Sequence, residues 1–208
     1  MSELPKRLFV TGTDTDAGKT VISALLTLAL DAHYWKPIQS GVNTDSDTRD
    51  VRALTGLPQE RFLPEAYRLT EPLSPHEAAA IDGVRIDLNA ITPPALPQDA
   101  PLVVEGAGGL MVPLNDKALM LDLITRLGLP VVVVARSGLG TINHTLLTLA
   151  ALRAAGAEVA GVIMNGPPHP ANADAIAHFG RVPVLAQVPM LGDLSPQGLK
   201  NACARYIP

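Results

Sequence analysis

Continuous apolar runs, rather than alternating ones, set the pattern of this chain. "RLFVTG" (7–12), "YWKPI" (34–38), "LVVEG" (102–106), "PVVVVA" (130–135) and "VAGVIM" (159–164) are strand-length, and a shorter sixth, "VPVLAQV", covers 182–188. Strands covered on both faces of a parallel sheet read this way. Between them the spacing turns helical. In "KTVISALLTLAL" (19–30), Val21, Leu25 and Leu28 join Ile22, Leu26 and Ala29 in a wide apolar stripe. "TINHTLLTLAALRAAGAE" (141–158) keeps that spacing until Gly156, a helix stop. Strands alternating with helices predict an α/β fold, doubly wound, with a mainly parallel sheet and helices on both faces.

The connections carry the remaining pattern. Within 43–80, "SDTRDVRALTG" and "SPHEAAAIDG" are short helix candidates, and "TPPALPQ", inside 83–100, is expected to be a loop ahead of the third strand. No internal repeat or low-complexity segment interrupts the chain. At 208 residues, with 47% hydrophobic and 17% charged, it is expected to form one domain over 1–208. A net charge of −4 without a basic tail argues against nucleic acid as the main partner. Cys203 stands alone, so no disulfide forms within the chain, which is compatible with a reducing cytoplasm. "MSELPKRLFV" lacks the apolar segment of a signal peptide, and "LPVVVVA" is too short to span a membrane.

The chemistry concentrates in "FVTGTDTDAGKT" (9–20). A phosphate-binding loop has four residues between its first Gly and Gly-Lys-Ser/Thr. Here five separate Gly12 from Gly18: Thr13, Asp14, Thr15, Asp16 and Ala17. The context is still a strand opening into a helix, where backbone N–H groups form a nest for phosphate oxygens. Lys19 would add a point charge at the terminal phosphates, and the Thr20 hydroxyl would ligate Mg²⁺. The added length offers Thr15 or Asp16 to a second ligand. Glu105, between "LVV" and "GAGG", would point to the carboxyl ends of the strands and complete a metal shell. Lys36 in "KPIQSG" either neutralises a transferred phosphoryl group or is an exposed strand-end lysine. Asp47 and Asp50 could each reach the metal, and Asp47 is equally a candidate helix N-cap.

Taken in order, "TGTDTDAGKT" (11–20), "KPIQSG" (36–41), "SD" (46–47), "EPLSPH" (71–76), "VEGAGGLMVPL" (104–114), "GLGTINHTLLT" (138–148) and "VIMNG" (162–166) resemble the dethiobiotin synthetase family over most of the chain. The lengthened loop is that family's version of the motif. The resemblance implies a P-loop NTPase type of fold and a ligase that joins CO₂ to 7,8-diaminopelargonic acid, using ATP and Mg²⁺, to form the cyclic urea dethiobiotin. It implies nucleotide contacts from Asp14, Thr15, Asp16, Ala17, Gly18, Lys19, Thr20 and Val21, with Asn165 at the adenine. Lys19 and Lys36 would stabilise the γ-phosphate and the carbamate, and Thr20, Asp47 and Glu105 would hold the metal. Thr15, Lys36, Ser40, Pro72 and Ser74 would surround the diamine. Leu139, Gly140 and Asn143 would receive the tail carboxylate across a homodimer interface, at a helix N-terminus. Asp16 stands where the family commonly has Glu, and the bulky Trp35 precedes Lys36 after a shortened linker.

Other residues carry plainer expectations. His144 is an interface or capping residue, His33 and His169 are exposed, and no zinc spacing occurs. Cys203 is a small packed side chain, and Ser74 lacks the context of a hydrolase nucleophile. Two other classes share the loop and sheet. A nucleotide switch of the partition-ATPase or MinD type would carry a lysine where this chain has Asp14. An amidoligase related to cobyrinate synthesis would add a glutaminase domain for which there is no room.

Overall fold

The computed structural model describes residues 4–43 and 46–207; the first three residues of the N-terminal stretch considered above, residues 44 and 45 and the last residue lie outside the described set. The order begins β1 (Arg7–Gly12), α1 (Lys19–Ala29), β2 (His33–Trp35), β3 (Ile38–Ser40), α2 (Asp47–Thr55), β4 (Phe62–Leu63), β5 (Tyr67–Leu69) and α3 (Pro75–Ile81). It continues with β6 (Leu102–Gly109), α4 (Met120–Leu127), β7 (Val131–Arg136), α5 (Thr141–Ala154), β8 (Val159–Asn165), α6 (Pro170–Gly180), β9 (Val184–Val188) and α7 (Pro196–Tyr206). Among the described residues, seven strands form one parallel sheet in the order β4-β2-β6-β1-β7-β8-β9. The apolar runs therefore lie where continuous burial requires them: Val131 to Ala135 are wholly removed from solvent.

Successive residues of each strand feed two cores. Leu8, Val10, Val103, Val132 and Ile163 pack against Leu25 of α1, Val51 of α2 and Leu199 of α7. Phe9, Val104 and Val133 pack on the other face with Leu123 of α4, Leu149 of α5 and Ile176 of α6. The sheet is doubly wound as expected. The chain runs outward from β1 to β2, returns to place β6 between them, then continues on the far side through β7. This reversal opens a crevice at the carboxyl ends of β6 and β1, the usual ligand position in such sheets.

Three local features depart from the sequence expectations. The run at 34–38 is broken: β2 ends at Trp35, and Ile38–Ser40 pairs instead with β5 in a second, two-stranded sheet. Pro37 has no N–H for the ladder and restricts the residue before it, so Lys36 sits at the break. The run at 102–106 extends to Gly109, with a register shift between Val10 and Gly12 of its partner β1. His33, expected to be exposed, is half-buried at the start of β2, whereas His169 is exposed and caps α6 by accepting from the Asn172 amide. The piece "TPPALPQ" (92–98) is loop, as expected, and the stretch around it is pinned by the fully buried Ile86 and Ile91.

Because α1 is anchored through side chains with no solvent exposure, Leu25→Ala should cost about 2–5 kcal/mol of stability. Urea unfolding should show a lower midpoint with an unchanged slope.

Candidate active site

Local sequence explains the loop first. β1 ends in the core, the chain makes a short turn over Thr15–Ala17, and Gly18 adopts φ +90° before α1 starts at Lys19. Only glycine takes that conformation without strain. A Cβ on Gly18 would also collide with the Asn165 amide, whose Nδ2 donates to the Ala17 carbonyl at 3.1 Å. Asn165 is thus brought to the loop from the end of β8. Asp14 accepts from the Thr15 amide at 2.8 Å and pairs with Arg136 at 2.9 Å. Lys19 folds back on the loop: its Nζ donates to the carbonyls of Asp14 at 3.1 Å and Thr15 at 2.9 Å. Burial of this ammonium lowers its pKa, against the pull of Glu105.

Beside the loop, side chains from α1, α2, β6 and the β2–β3 break converge. Thr20, in the first turn of α1, donates to Asp47 Oδ1 at 2.6 Å and to Glu105 Oε1 at 3.4 Å. Lys36 Nζ bridges the same carboxylates, 2.6 Å from Asp47 Oδ2 and 3.2 Å from Glu105 Oε1. Lys36 is buried at the β2–β3 break, so the alternative of an exposed strand-end lysine is set aside. Burial disfavours its charge, but Glu105 and Asp47 outweigh that cost and raise its pKa. Burial works against the Asp47 carboxylate too, yet Lys36 and the hydrogen bonds from Thr20 and Gln39 hold its pKa below the ordinary value. The cap of α2 is Ser46, whose side chain accepts from the Arg49 amide, and not Asp47. Asp47 is freed for the site, and Gln39 Oε1 fixes its backbone N–H at 3.0 Å. Asp50 lines the same cleft but pairs with Arg49 at 3.5 Å.

One further side chain had no signal beyond its place in a β-run. Tyr34 is fully buried and donates to Glu105 Oε2 at 3.0 Å. Burial and the facing Glu105 push its pKa well above the phenol range, so it stays a donor.

An open cleft of about 810 Å³ lies over these groups. It is lined by Thr15, Asp16, Gly18, Lys19, Thr20, Lys36 and Asp47, and continues past Ser40, Pro72 and Ser74. Ala17 and Val21 support the loop through the core rather than lining this cleft. Leu139, Gly140 and Asn143 lie outside it, exposed around the start of α5 with His144. Among the described residues there is no group of three or more His, Cys, Asp or Glu able to hold a metal. The oxygens of Thr20, Asp47 and Glu105 are nonetheless hard donors gathered at one point. They suit a Mg²⁺ ion that takes its remaining ligands from phosphate and water.

A glycine-rich turn over a helix N-terminus, with its lysine, following hydroxyl and strand-end carboxylate, defines a P-loop nucleotide-binding protein. Comparisons with known proteins narrow this class. Residues 6–198 match a family model described as an AAA domain. The chain is 57% identical over 181 residues to the ATP-dependent dethiobiotin synthetase BioD of Paramagnetospirillum magneticum, covering 87% of this chain and 86% of that protein. It is 56% identical over 197 residues to the biotin biosynthesis bifunctional protein BioCD of Bordetella avium. That match covers 94% of this chain and 42% of the bifunctional protein, so the chain spans less than half of that relative. A ParA family ATPase from Chlorobium tepidum aligns with a TM-score of 0.55 over 96% of this chain and 91% of that one. At 14% identity this likeness shows the fold alone. The chain belongs to the ATP-dependent dethiobiotin synthetase family, an enzyme family of the ligase class. No helix among the described residues is long and apolar enough to cross a membrane.

Replacing Gly18 by Ala should strain the loop by on the order of 1–3 kcal/mol and push Asn165 aside. Calorimetric titration should then show nucleotide binding weakened about tenfold or more.

Proposed function

We propose that the cleft carries out the ATP-dependent carboxylation and ring closure of 7,8-diaminopelargonic acid to dethiobiotin, releasing ADP and phosphate. The observation that carries this reading is Lys36: a buried ammonium 2.6 Å and 3.2 Å from two carboxylates, beside the phosphate loop, in a cleft that runs on to Ser40 and Ser74. A simple nucleotide switch has no need of that extension.

In the proposed sequence, one amine of the substrate adds to CO₂, forming an N–C bond and losing a proton to give a carbamate. A carbamate oxygen attacks the γ-phosphorus, the bond to the bridging β–γ oxygen breaks, and ADP leaves. The second amine then attacks the carbonyl carbon of the mixed anhydride, closes the ring and expels phosphate. The protein's part is to position and neutralise, with no covalent step of its own. Lys19 turns from the Asp14 and Thr15 carbonyls to the γ-phosphate. Lys36 meets the charge shared between carbamate and transferred phosphoryl group. Thr15 and Ser40 orient the carbamate, and Pro72 and Ser74 wall the diamine. Asn165 lies beside the adenine position. A Mg²⁺ ion arriving with ATP would be held by Thr20, Asp47 and Glu105, and would offset charge on the β- and γ-oxygens.

The same reading places Leu139, Gly140 and Asn143 against the substrate tail of a second protomer in a homodimer. Support comes from the full exposure of Leu139 at the N-terminal end of α5 and from the exposed Met111 and Leu147 beside a neighbouring apolar hollow. The reaction is assigned to the cytoplasm. The partition-type reading is disfavoured by Asp14, whose carboxylate is engaged by Arg136 in the same chain.

Incubating the protein with the diamine, bicarbonate, Mg²⁺ and each nucleoside triphosphate should yield dethiobiotin by mass spectrometry, best with ATP; no product at saturation would refute the assignment. Lys19→Ala and Lys36→Ala should each lower kcat by roughly 10²–10³-fold or more, since each removes charge stabilisation of the transition state. Near-normal turnover in both would reject their roles.

A further inference from the structure

Tyr34 is an unusual occupant of a parallel strand core. In β2 it pairs with Val103 of β6 on one side and Phe62 of β4 on the other, and its ring lies 6.1 Å from that of Phe62. Side chains two residues apart leave an extended chain on the same side. Tyr34 and Lys36 are so related, as are Val103 and Glu105 on the neighbouring strand, so the hydroxyl and the ammonium approach one carboxylate from two directions. They divide it cleanly. Tyr34 donates to Oε2 at 3.0 Å, while Lys36 and Thr20 face Oε1 at 3.2 Å and 3.4 Å.

We infer that Tyr34 is a positioning residue for Glu105: its hydroxyl engages one carboxylate oxygen and so aims the other at the corner shared by Thr20 and Asp47, where a divalent cation would bind. A buried carboxylate without this donor would leave one oxygen unsatisfied, and would turn to share the other's partners. With the donor, the side chain presents a single oxygen at fixed orientation, a role that outer partners of metal-binding carboxylates commonly fill. The Phe62 ring packs beside that of Tyr34 at a tilt. The inference rests on the magnesium role proposed for Glu105, and does not depend on which substrate is carboxylated.

The test separates metal from nucleotide. Calorimetry gives the affinity for a non-hydrolysable ATP analogue with EDTA and with saturating Mg²⁺, and the ratio of the two measures their coupling. In Tyr34→Phe the affinity with EDTA should stay within about twofold of wild type, while the coupling ratio falls about tenfold. A folded Tyr34→Phe protein with wild-type coupling overturns the inference. Tyr34→p-aminophenylalanine restores an N–H donor on the same ring and should recover coupling; a ratio as low as that expected for Phe overturns it as well, and this variant serves alone if Tyr34→Phe does not fold. Glu105→Gln supplies the boundary. Coupling lost there but intact in Tyr34→Phe rejects only the role of Tyr34, whereas coupling intact in Glu105→Gln rejects the metal role of Glu105 and this inference with it.

Discussion

An ammonium group taken out of water keeps its charge only if something of opposite sign comes with it, and Lys36 has that company. Two carboxylates from different elements meet it, and its pKa rises despite burial. The surrounding architecture makes the meeting possible. Pro37 ends β2 so that Lys36 stands at the edge of the large sheet rather than within a ladder. Ser46 takes over the cap of α2, which leaves Asp47 free to project into the site. Glu105 occupies the strand between β1 and β2, where it reaches both Lys36 and Thr20. Breaking such a buried set by removing one member is costly, because the remaining charge is left without a partner.

The two lysines are held in different ways. Lys36 is balanced by full opposite charges, whereas Lys19 is tied to neutral backbone carbonyls and its pKa is lowered by burial. Lys19 therefore has more to gain from an arriving anion. The geometry gives one cation that is already neutralised and one that is poorly satisfied, both lining the same cleft with Thr20. A triphosphate end fits that asymmetry, because its charge is greatest at the terminal group.

Much of the fold was legible because parallel strands buried on both faces are apolar without interruption, and the run from Val131 to Ala135 is the clearest case. The glycine loop was legible for a different reason: its residues are consecutive, so Gly-Lys-Thr between a strand and a helix marks the nest even with one residue added. The break after Trp35 was signalled by the Lys-Pro pair, but the β-rich composition of "YWKPI" concealed it. Helices α6 and α7 were not anticipated, although His169-Pro170 and Ser195-Pro196 each set a cap residue before a proline at the first turn. Their short, mixed patterns gave little else. What no spacing could reveal is the contact among Lys36, Asp47 and Glu105, since strand register and helix placement bring those residues together. Tyr34 is the sharpest instance. In sequence it is one aromatic in a strand; in the fold it is bonded to a carboxylate far along the chain.

The position of β1 at the middle of the sheet has a consequence for biosynthesis. Phe9 has no strand beside it until Val104 and Val131 have been made, because β6 and β7 flank it. The phosphate loop leaves the ribosome early, yet its supporting strand stays unpaired while more than half of the chain is still to come. Pairing between such distant segments is slow to form and leaves apolar strand edges open in the meantime. A nascent chain released too soon would thus carry the whole glycine motif and none of the scaffold that shapes it.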